Sequence, residues 1–428
     1  EQNLPELHKS LRQKLSRKKL SSNLVAPLLG LSVTASCVFT GKPAVGYSDD
    51  PAIVGAEYAK NVKKRDQEGQ RISKEVAHKL RHEVKARSRL KSILPLSLKN
   101  GDQLELVYDF DHFGTKGESS YISIIHADGN SIGKRFQKIS ESSQNNIDYI
   151  KRYQSLSTSI AVNAKLALQE TVQFLIDSLQ QSDGSEKFGG VVHIPEQQGT
   201  LFLPFRPLVF GGDDVTFVAD GRLGLALAAK YIELFTSKPL ADSDDPVFAR
   251  AGVAIVKTHY PFSRAYELSE QLIASAKKAI KELSLQGTPD ANFIDWHHST
   301  TGVIHSLETL RDREYTDYLN RSLLMRPLHL KPSSAVNEWG SWNLFKQMTT
   351  HFQQNKEWKQ RKNKLHVMKQ ALRDGENAFE LFMHNYRIKR SSLPDVDGKP
   401  GMQSRGRDKD DCAYYDPLEA VDYFVSLD

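Results

Sequence analysis

The pattern of apolar and polar positions divides the chain into a helical start, a β-rich middle and a helical end. Residues 8–20, HKSLRQKLSRKKL, set leucines among basic residues and predict a basic helix. Over 52–92, Ile72, Val76, Leu80 and Val84 recur at four-residue steps in a highly charged stretch, which predicts one long exposed helix. From Leu104 the texture changes to short β-rich runs at 104–108, 121–127, 200–203, 208–210, 215–218 and 252–257. Among these runs, 147–179, 223–236 and 263–283 carry apolar residues at three- and four-residue steps and read as amphipathic helices. Strand, helix, hairpin, helix, strand is the order of a ferredoxin-like βαββαβ sheet. The expected fold class is therefore α+β, with helical N- and C-terminal regions flanking that sheet.

This pattern suggests three domains: 1–103, mostly helical; 104–305, the sheet domain; and 306–428, helical. Trp339, Trp342, Phe345 and Trp358 are the expected core anchors of the last. Gly, Ser and acidic residues at 182–190 predict a mobile surface loop, and charge, Gly and Pro at 391–411 predict a flexible tail segment. There is no internal repeat.

Composition narrows the class without naming a function. At 428 residues, 39% hydrophobic and 26% charged, the chain reads as an ordinary globular protein. No window holds the ~18 uncharged apolar residues of a membrane span. The most apolar early stretch, 24–39, is broken by Pro27 and Gly30, and the sequence opens on Glu1, which leaves room for a missing upstream segment. Cys37 and Cys412, the only cysteines, argue against a disulfide framework or a Cys-based zinc site and for a reducing, cytoplasmic compartment. A net charge of +6 suits polyanionic partners, but the excess is small for this length. Residues 8–20 are thus read as a solvated helix, with a phosphate-contacting arm as the sharper alternative.

Two motifs carry chemistry. In FGGDDVTFV, 210–218, apolar β-type runs flank Gly211-Gly212-Asp213-Asp214, placing two acids at a hairpin tip with glycines that permit a tight turn and a close phosphate approach. Adjacent carboxylates repel unless a cation bridges them, so a metal site resolves the pattern, against the plainer reading of an Asp-rich turn. In ISIIHADGNSIGKRF, 122–136, a buried strand runs into Asp128-Gly129-Asn130 and a helix start, which would bring a third carboxylate beside the hairpin and offer turn amides to phosphate. The plainer reading there is helix capping by Asp128 or Asn130. Asp128, Asp213 and Asp214 supply the hard oxygen ligands that Mg²⁺ or Mn²⁺ prefers, and Lys134, Arg135 and Lys277 are candidate contacts for a triphosphate tail. His78 and His82 lack a third ligand, and Cys37 lacks an organised His partner, so neither is expected to act. Asp295, His297 and His298 invite an acid–base or metal reading, although a strand ending near Trp296 with satisfied imidazoles is the expected account.

Together, HADGNSIGK, FGGDD and the segment ARAGVAIVKTHYPFSRAYELSEQLIASAKKAIKE at 249–282 resemble the second palm domain of the large polymerase-like subunit of type III CRISPR effector complexes, over roughly 118–300. More distantly, the GGDD hairpin is similar to that of diguanylate cyclases and class III nucleotide cyclases. The resemblance implies a palm that makes cyclic oligoadenylates from ATP. Asp128, Asp213 and Asp214 would be its metal ligands, Gly211 and Gly212 the close-approach turn and Lys277 a phosphate contact, while Gly129, Asn130 and Lys134 are further candidate nucleotide contacts read from the motif itself. Asn130 stands where that family commonly has an acid. No His-Asp nuclease motif and no second palm are visible, which implies a stand-alone relative in antiviral defence signalling. Its partners would be nucleoside triphosphates, a second palm as homodimer or separate subunit, and an RNA or protein activator, with no membrane. The alternatives are a catalytically weak nucleotide- or nucleic-acid-binding scaffold and a template-dependent polymerase, the latter disfavoured by the lack of a concentrated basic and aromatic stripe.

Overall fold

Tyr121–Gly129 (β1) is buried along almost its whole length, which explains why it reads as a continuous apolar run rather than an alternating one. It is the central strand of the main sheet in a computed structural model that describes residues 3–21, 34–64, 68–113, 120–285, 291–299, 306–330, 338–359 and 361–428. Then follow α1 (Ile132–Ser142), α2 (Asn146–Asp177), β2 (Phe205–Phe210), β3 (Val215–Asp220), α3 (Gly224–Thr236), β4 (Ala249–Lys257), α4 (Phe262–Leu285), β5 (Phe293–His298) and β6 (Leu328–His329). The spatial order is β2-β3-β1-β4-β5-β6, and the first four strands pair antiparallel. This is the expected ferredoxin-like α+β core. It is extended by β5, parallel to β4 beyond the α4 crossover, and by β6.

Glycines set how closely the helices approach. A Cβ at Gly252 would lie 2.3 Å from the Ser269 carbonyl oxygen on α4, and one at Gly224 on α3 would lie 2.2 Å from Ser123 Oγ on β1. Helix α4 covers the face carrying Ile122, Ile124, Ala254 and Val256, to which it adds Ala265, Leu268 and Leu272. Burial of this kind contributes on the order of 2 kcal/mol per large apolar side chain. Helix α2 starts where the Asn145 side chain accepts from the Ile147 and Asp148 amides.

Several expectations are corrected. The run at 200–203 is not in the main sheet; it pairs with Leu104–Leu106 and Glu196–Gln197 in a separate small one. The supposed mobile loop at 182–190 is part of a hairpin, Leu179–Ser182 with Ser185–Phe188. It turns at Asp183-Gly184, whose φ angles of 51° and 79° fit the twist of a two-residue connection. The segment 391–411 is packed rather than flexible: Leu393, Val396 and Met402 are buried, and the Arg407 guanidinium reaches buried Asp317 at 2.6 Å.

The chain divides into two compact units, Glu1–Pro95 and Leu96–Asp428. In the second, residues beyond 305 supply β6 to the sheet and pack Phe345 on Trp296 at 4.8 Å, so no unit boundary falls at 305. Phe345 and Trp358 are buried anchors, whereas Trp339 and Trp342 are only partly covered. In the first unit the single long helix expected over 52–92 is broken into Pro51–Val54, Ala56–Lys64, Lys74–Arg81 and Glu83–Ile93, with Arg71–Ser73 as a strand. Gly55, at φ 89°, ends the first piece, and Val54, Ala59, Ile72 and Ala77 form a small core that one straight helix could not gather. Positions 24–33 of the early apolar stretch lie outside the described residues. Among those described, no helix is long and apolar enough to cross a membrane.

Candidate active site

Register brings the two motifs together. β3 pairs antiparallel with β1, setting Val215 opposite Ala127, so the four-residue connection Gly211–Asp214 turns beside the end of β1 that carries Asp128. The Gly129 amide donates to the Asp213 carbonyl at 3.1 Å, and a Cβ on Gly129 would lie 2.9 Å from Asp213 Cβ. Gly129 is therefore the close-approach glycine, and a larger residue there would push the hairpin acid away. Gly211 and Gly212, expected to need special backbone angles, have no positive φ, and a Cβ on either would meet nothing within 4 Å. Their lack of side chains leaves open space at the tip.

Each acid has a distinct environment. Asp128 is partly buried, and β4 places Arg250 directly opposite it in the strand register, with the guanidinium Nη2 donating to Asp128 Oδ2. Arg250 also donates from Nη1 to Asn130 Oδ1. The Asn130 amide nitrogen donates in turn to the Ala291 carbonyl at 3.2 Å, so this carboxamide is engaged at both ends. Asp214, the most exposed of the three acids, lies with Oδ1 2.9 Å from His126 Nε2, and the His126 ring stacks on Tyr266. Neither Asp128 nor Asn130 caps α1; the chain enters that helix through Ser131 in the left-handed region at φ 59°.

Burial raises the Asp128 carboxyl above its ordinary pKa, with Arg250 pulling it down and Asp214 pushing it up. Asp213 is also raised, first by burial and then by the charges of Asp128 and Asp214. The three carboxylates thus share one electrostatic site. Lys277, exposed on α4, acts favourably on Asp128. Lys134 is exposed on the first turn of α1. Arg135 is committed elsewhere, to Asp242 at 2.9 Å and to the Asp245 and Pro246 carbonyls. Arg250 and His126, the groups that contact Asp128 and Asp214, are the members of this candidate site that the motifs alone did not indicate.

Asp295, His297 and His298 belong to the far side of β4 and to the core, not to this site. Asp295 is fully buried and bound by Arg311 at 2.6 Å. Their imidazoles are not satisfied by solvent: burial pushes His297 down to about 3 and His298 down to about 4, leaving both neutral near pH 7. The His298 ring lies 3.7 Å from that of Tyr423. The unfolded chain binds a proton near pH 6.5 that folded His298 refuses until about pH 4, so its stabilising contribution is present above 6.5 and lost as pH falls through that window. His298→Phe keeps the stack and removes the titration. The variant is expected to lose on the order of 3 kcal/mol less stability than the parent between pH 6.5 and 4, as read by urea unfolding. Parallel pH profiles would refute this account.

The sequence of residues 121–283 matches the family model described as Cas10/Cmr2, second palm domain. No curated protein matches. Among solved structures, the chain is similar to Csm1 in T. onnurineus at 13% identity and TM-score 0.41, covering 76% of this chain and 41% of that one. A Csm1–Csm4 cassette in complex with cA4 is matched at 11% identity and TM-score 0.39, covering 72% and 36%. The active GGEEF domain of a diguanylate cyclase from Vibrio cholerae is matched at 15% and 0.23, covering 37% and 78%. The chain thus spans roughly two fifths of the length of the Csm1 chains it matches. By sequence, the likeness to the Cas10/Cmr2 second palm domain is a property of residues 121–283.

Proposed function

We propose that this palm condenses nucleoside triphosphates, ATP favoured, into a cyclic or short oligonucleotide messenger serving antiviral defence. The observation that carries this reading is that strand register sets Asp128 beside the Asp213-Asp214 hairpin at one end of the central sheet, next to an open glycine tip. The donor set fits Mg²⁺ or Mn²⁺: all three are hard oxygen ligands, and Asp128 and Asp213 are raised by burial and by the charge of neighbouring acids, a cost that a divalent cation would relieve. Bound there, such a cation would offset triphosphate charge and lower the pKa of an attacking hydroxyl. Gly211 and Gly212 leave room for the phosphates, while Lys277 and Lys134 offer positive charge to the tail.

A 3′-linked product needs a second nucleotide whose hydroxyl is aligned on the first α-phosphate, and good alignment is worth about 7–11 kcal/mol over free encounter. A second palm, from a second copy or a partner subunit, would supply that alignment. Incubation with each labelled triphosphate and Mg²⁺ or Mn²⁺, with products identified by mass spectrometry, tests the reading. Oligonucleotide products are expected, with specific activity rising with protein concentration. No product from any triphosphate over a wide concentration range would count against it. That outcome would favour a nucleotide- or nucleic-acid-binding scaffold, a reading to which the Arg250–Asp128 pair lends weight, because a catalytic carboxylate is there bound by the protein itself.

A further inference from the structure

Among the described residues, no three His, Cys, Asp or Glu side chains converge closely enough to hold a metal ion, even though the three acids lie within one electrostatic neighbourhood. The reason is visible in their partners. Asp128 is turned onto the Arg250 guanidinium and Asp214 onto His126. Arg250 is itself 8% exposed and sits opposite Asp128 across the β1–β4 ladder. Its Nη1 and Nη2 reach Asn130 and Asp128, and its Nε is buried with no hydrogen-bond partner. A guanidinium so placed satisfies the carboxylate in the manner of a bound cation.

We propose that Arg250 is a resident cation competing with divalent metal for the Asp128 carboxylate, so that metal enters only when the guanidinium lets go. This inference rests on the reading of Asp128, Asp213 and Asp214 as metal ligands. The competition has a direction. One positive charge already lies on Oδ2, so a divalent ion gains less there than at an unpaired carboxylate, and it must also leave a buried guanidinium without its acid. Released, the guanidinium has one suitable partner in the chemistry assigned to the site, a phosphate oxygen of the incoming nucleotide. Metal alone is therefore a weak ligand of the free protein, and metal with nucleotide a much better one. Arg250 couples the two binding events, and the coupling is reciprocal.

The test is a Mn²⁺ titration of the full chain without nucleotide, followed by electron paramagnetic resonance of the free ion, with thermal melting as a check on folding. Arg250→Gln keeps hydrogen-bonding capacity and removes the charge; Arg250→Lys keeps the charge and cannot bridge Asp128 and Asn130. Arg250→Gln is expected to bind Mn²⁺ on the order of tenfold more tightly than the parent, the free-energy equivalent of a one-unit carboxylate shift. Arg250→Lys should fall between the two. A non-hydrolysable ATP analogue should tighten Mn²⁺ binding in the parent far more than in Arg250→Gln. Equal or weaker Mn²⁺ binding by folded Arg250→Gln and Arg250→Lys overturns the competition. The parallel variant Asp213→Ala with Asp214→Ala separates this from failure of the underlying site. If Mn²⁺ binds with undiminished affinity to that variant, the acids are not the ligands and both readings fall. If it loses Mn²⁺ while the Arg250 variants match the parent, only the competition falls.

Discussion

Asp213→Ala combined with Asp214→Ala is expected to abolish product formation and to leave the fold standing. The backbone bond from the Gly129 amide to the Asp213 carbonyl survives the change, as does the Asp213 Cβ packed against Gly129. What is lost is charge. The folded-state pKa of Asp213 is raised, so the folded protein binds a proton that the unfolded chain has released. The resulting penalty is absent below the ordinary carboxylate value of 3.8 and grows as pH rises through the folded value, so at neutral pH without metal Asp213 opposes folding. Removing Asp214 takes a partner from His126, but Asp214 is exposed and water can enter in its place. Melting temperature should therefore hold level or rise slightly at pH 7 while turnover disappears. Turnover at the parent rate would remove these residues from the chemistry, and a large drop in melting temperature would make them structural.

The fold was legible where periodicity and local turn chemistry agree. β1, the β2–β3 hairpin and α2 to α4 fall close to their expected places, because each buries an apolar face large enough to mark the sequence. It was not legible where polarity disguised packing. Residues 391–411 read as flexible from their charge, Gly and Pro, yet buried Arg407 on Asp317 and three spaced apolar residues hold them down, an arrangement set by partners some ninety positions away. The four-residue steps over 52–92 were real, but Gly55 and the strand Arg71–Ser73 break them into pieces that gather Val54, Ala59, Ile72 and Ala77.

Within the candidate site, the acids stand out in the sequence because paired carboxylates follow two glycines between apolar β-type runs. Arg250 does not. It lies one position inside a run of small and apolar residues, ARAGVAIV, and it is strand register, not spacing, that sets it opposite Asp128 122 positions earlier. The available signal was a lone cation inside a strand that is otherwise uncharged until Lys257, since a buried charge requires a counter-charge. His126 carried a similar signal: two positions before Asp128 on one strand, it shares that residue's face. Asn130, expected to touch nucleotide, is instead tied between Arg250 and the Ala291 carbonyl, contacts that only the assembled sheet creates.

Arg326→Ala is expected to cost about 3–5 kcal/mol, among the largest effects of any single change in the second unit. The guanidinium is fully buried, 2.9 Å from Glu419 and 3.5 Å from Asp416, and it lies over the Trp296 and Tyr315 rings at 4.9 and 5.0 Å. Both acids are almost inaccessible to water, so truncating the arginine strands two carboxylates in a low-dielectric core. Asp416 keeps the Met325 and Arg326 amides, and Glu419 keeps the Tyr315 hydroxyl and Lys369, which is why the loss is bounded. Burial alone would raise Glu419; Arg326, with Lys369, outweighs it and holds the carboxyl low, at about 2. Without Arg326 that carboxyl rises above its unfolded value, and the folded state then loses stability as pH climbs through the new value. Arg326 also depresses His297, so its removal eases the histidine penalty in acid, which acts in the same direction. The gap between variant and parent should therefore be widest near pH 7 and narrow toward pH 4.5. Urea unfolding at both values reads it, and adding Asp416→Asn with Glu419→Gln should recover much of the loss at neutral pH. A gap below about 1 kcal/mol at pH 7, or one that widens in acid, would show that the ion cluster is not what ties the C-terminal segment to the palm.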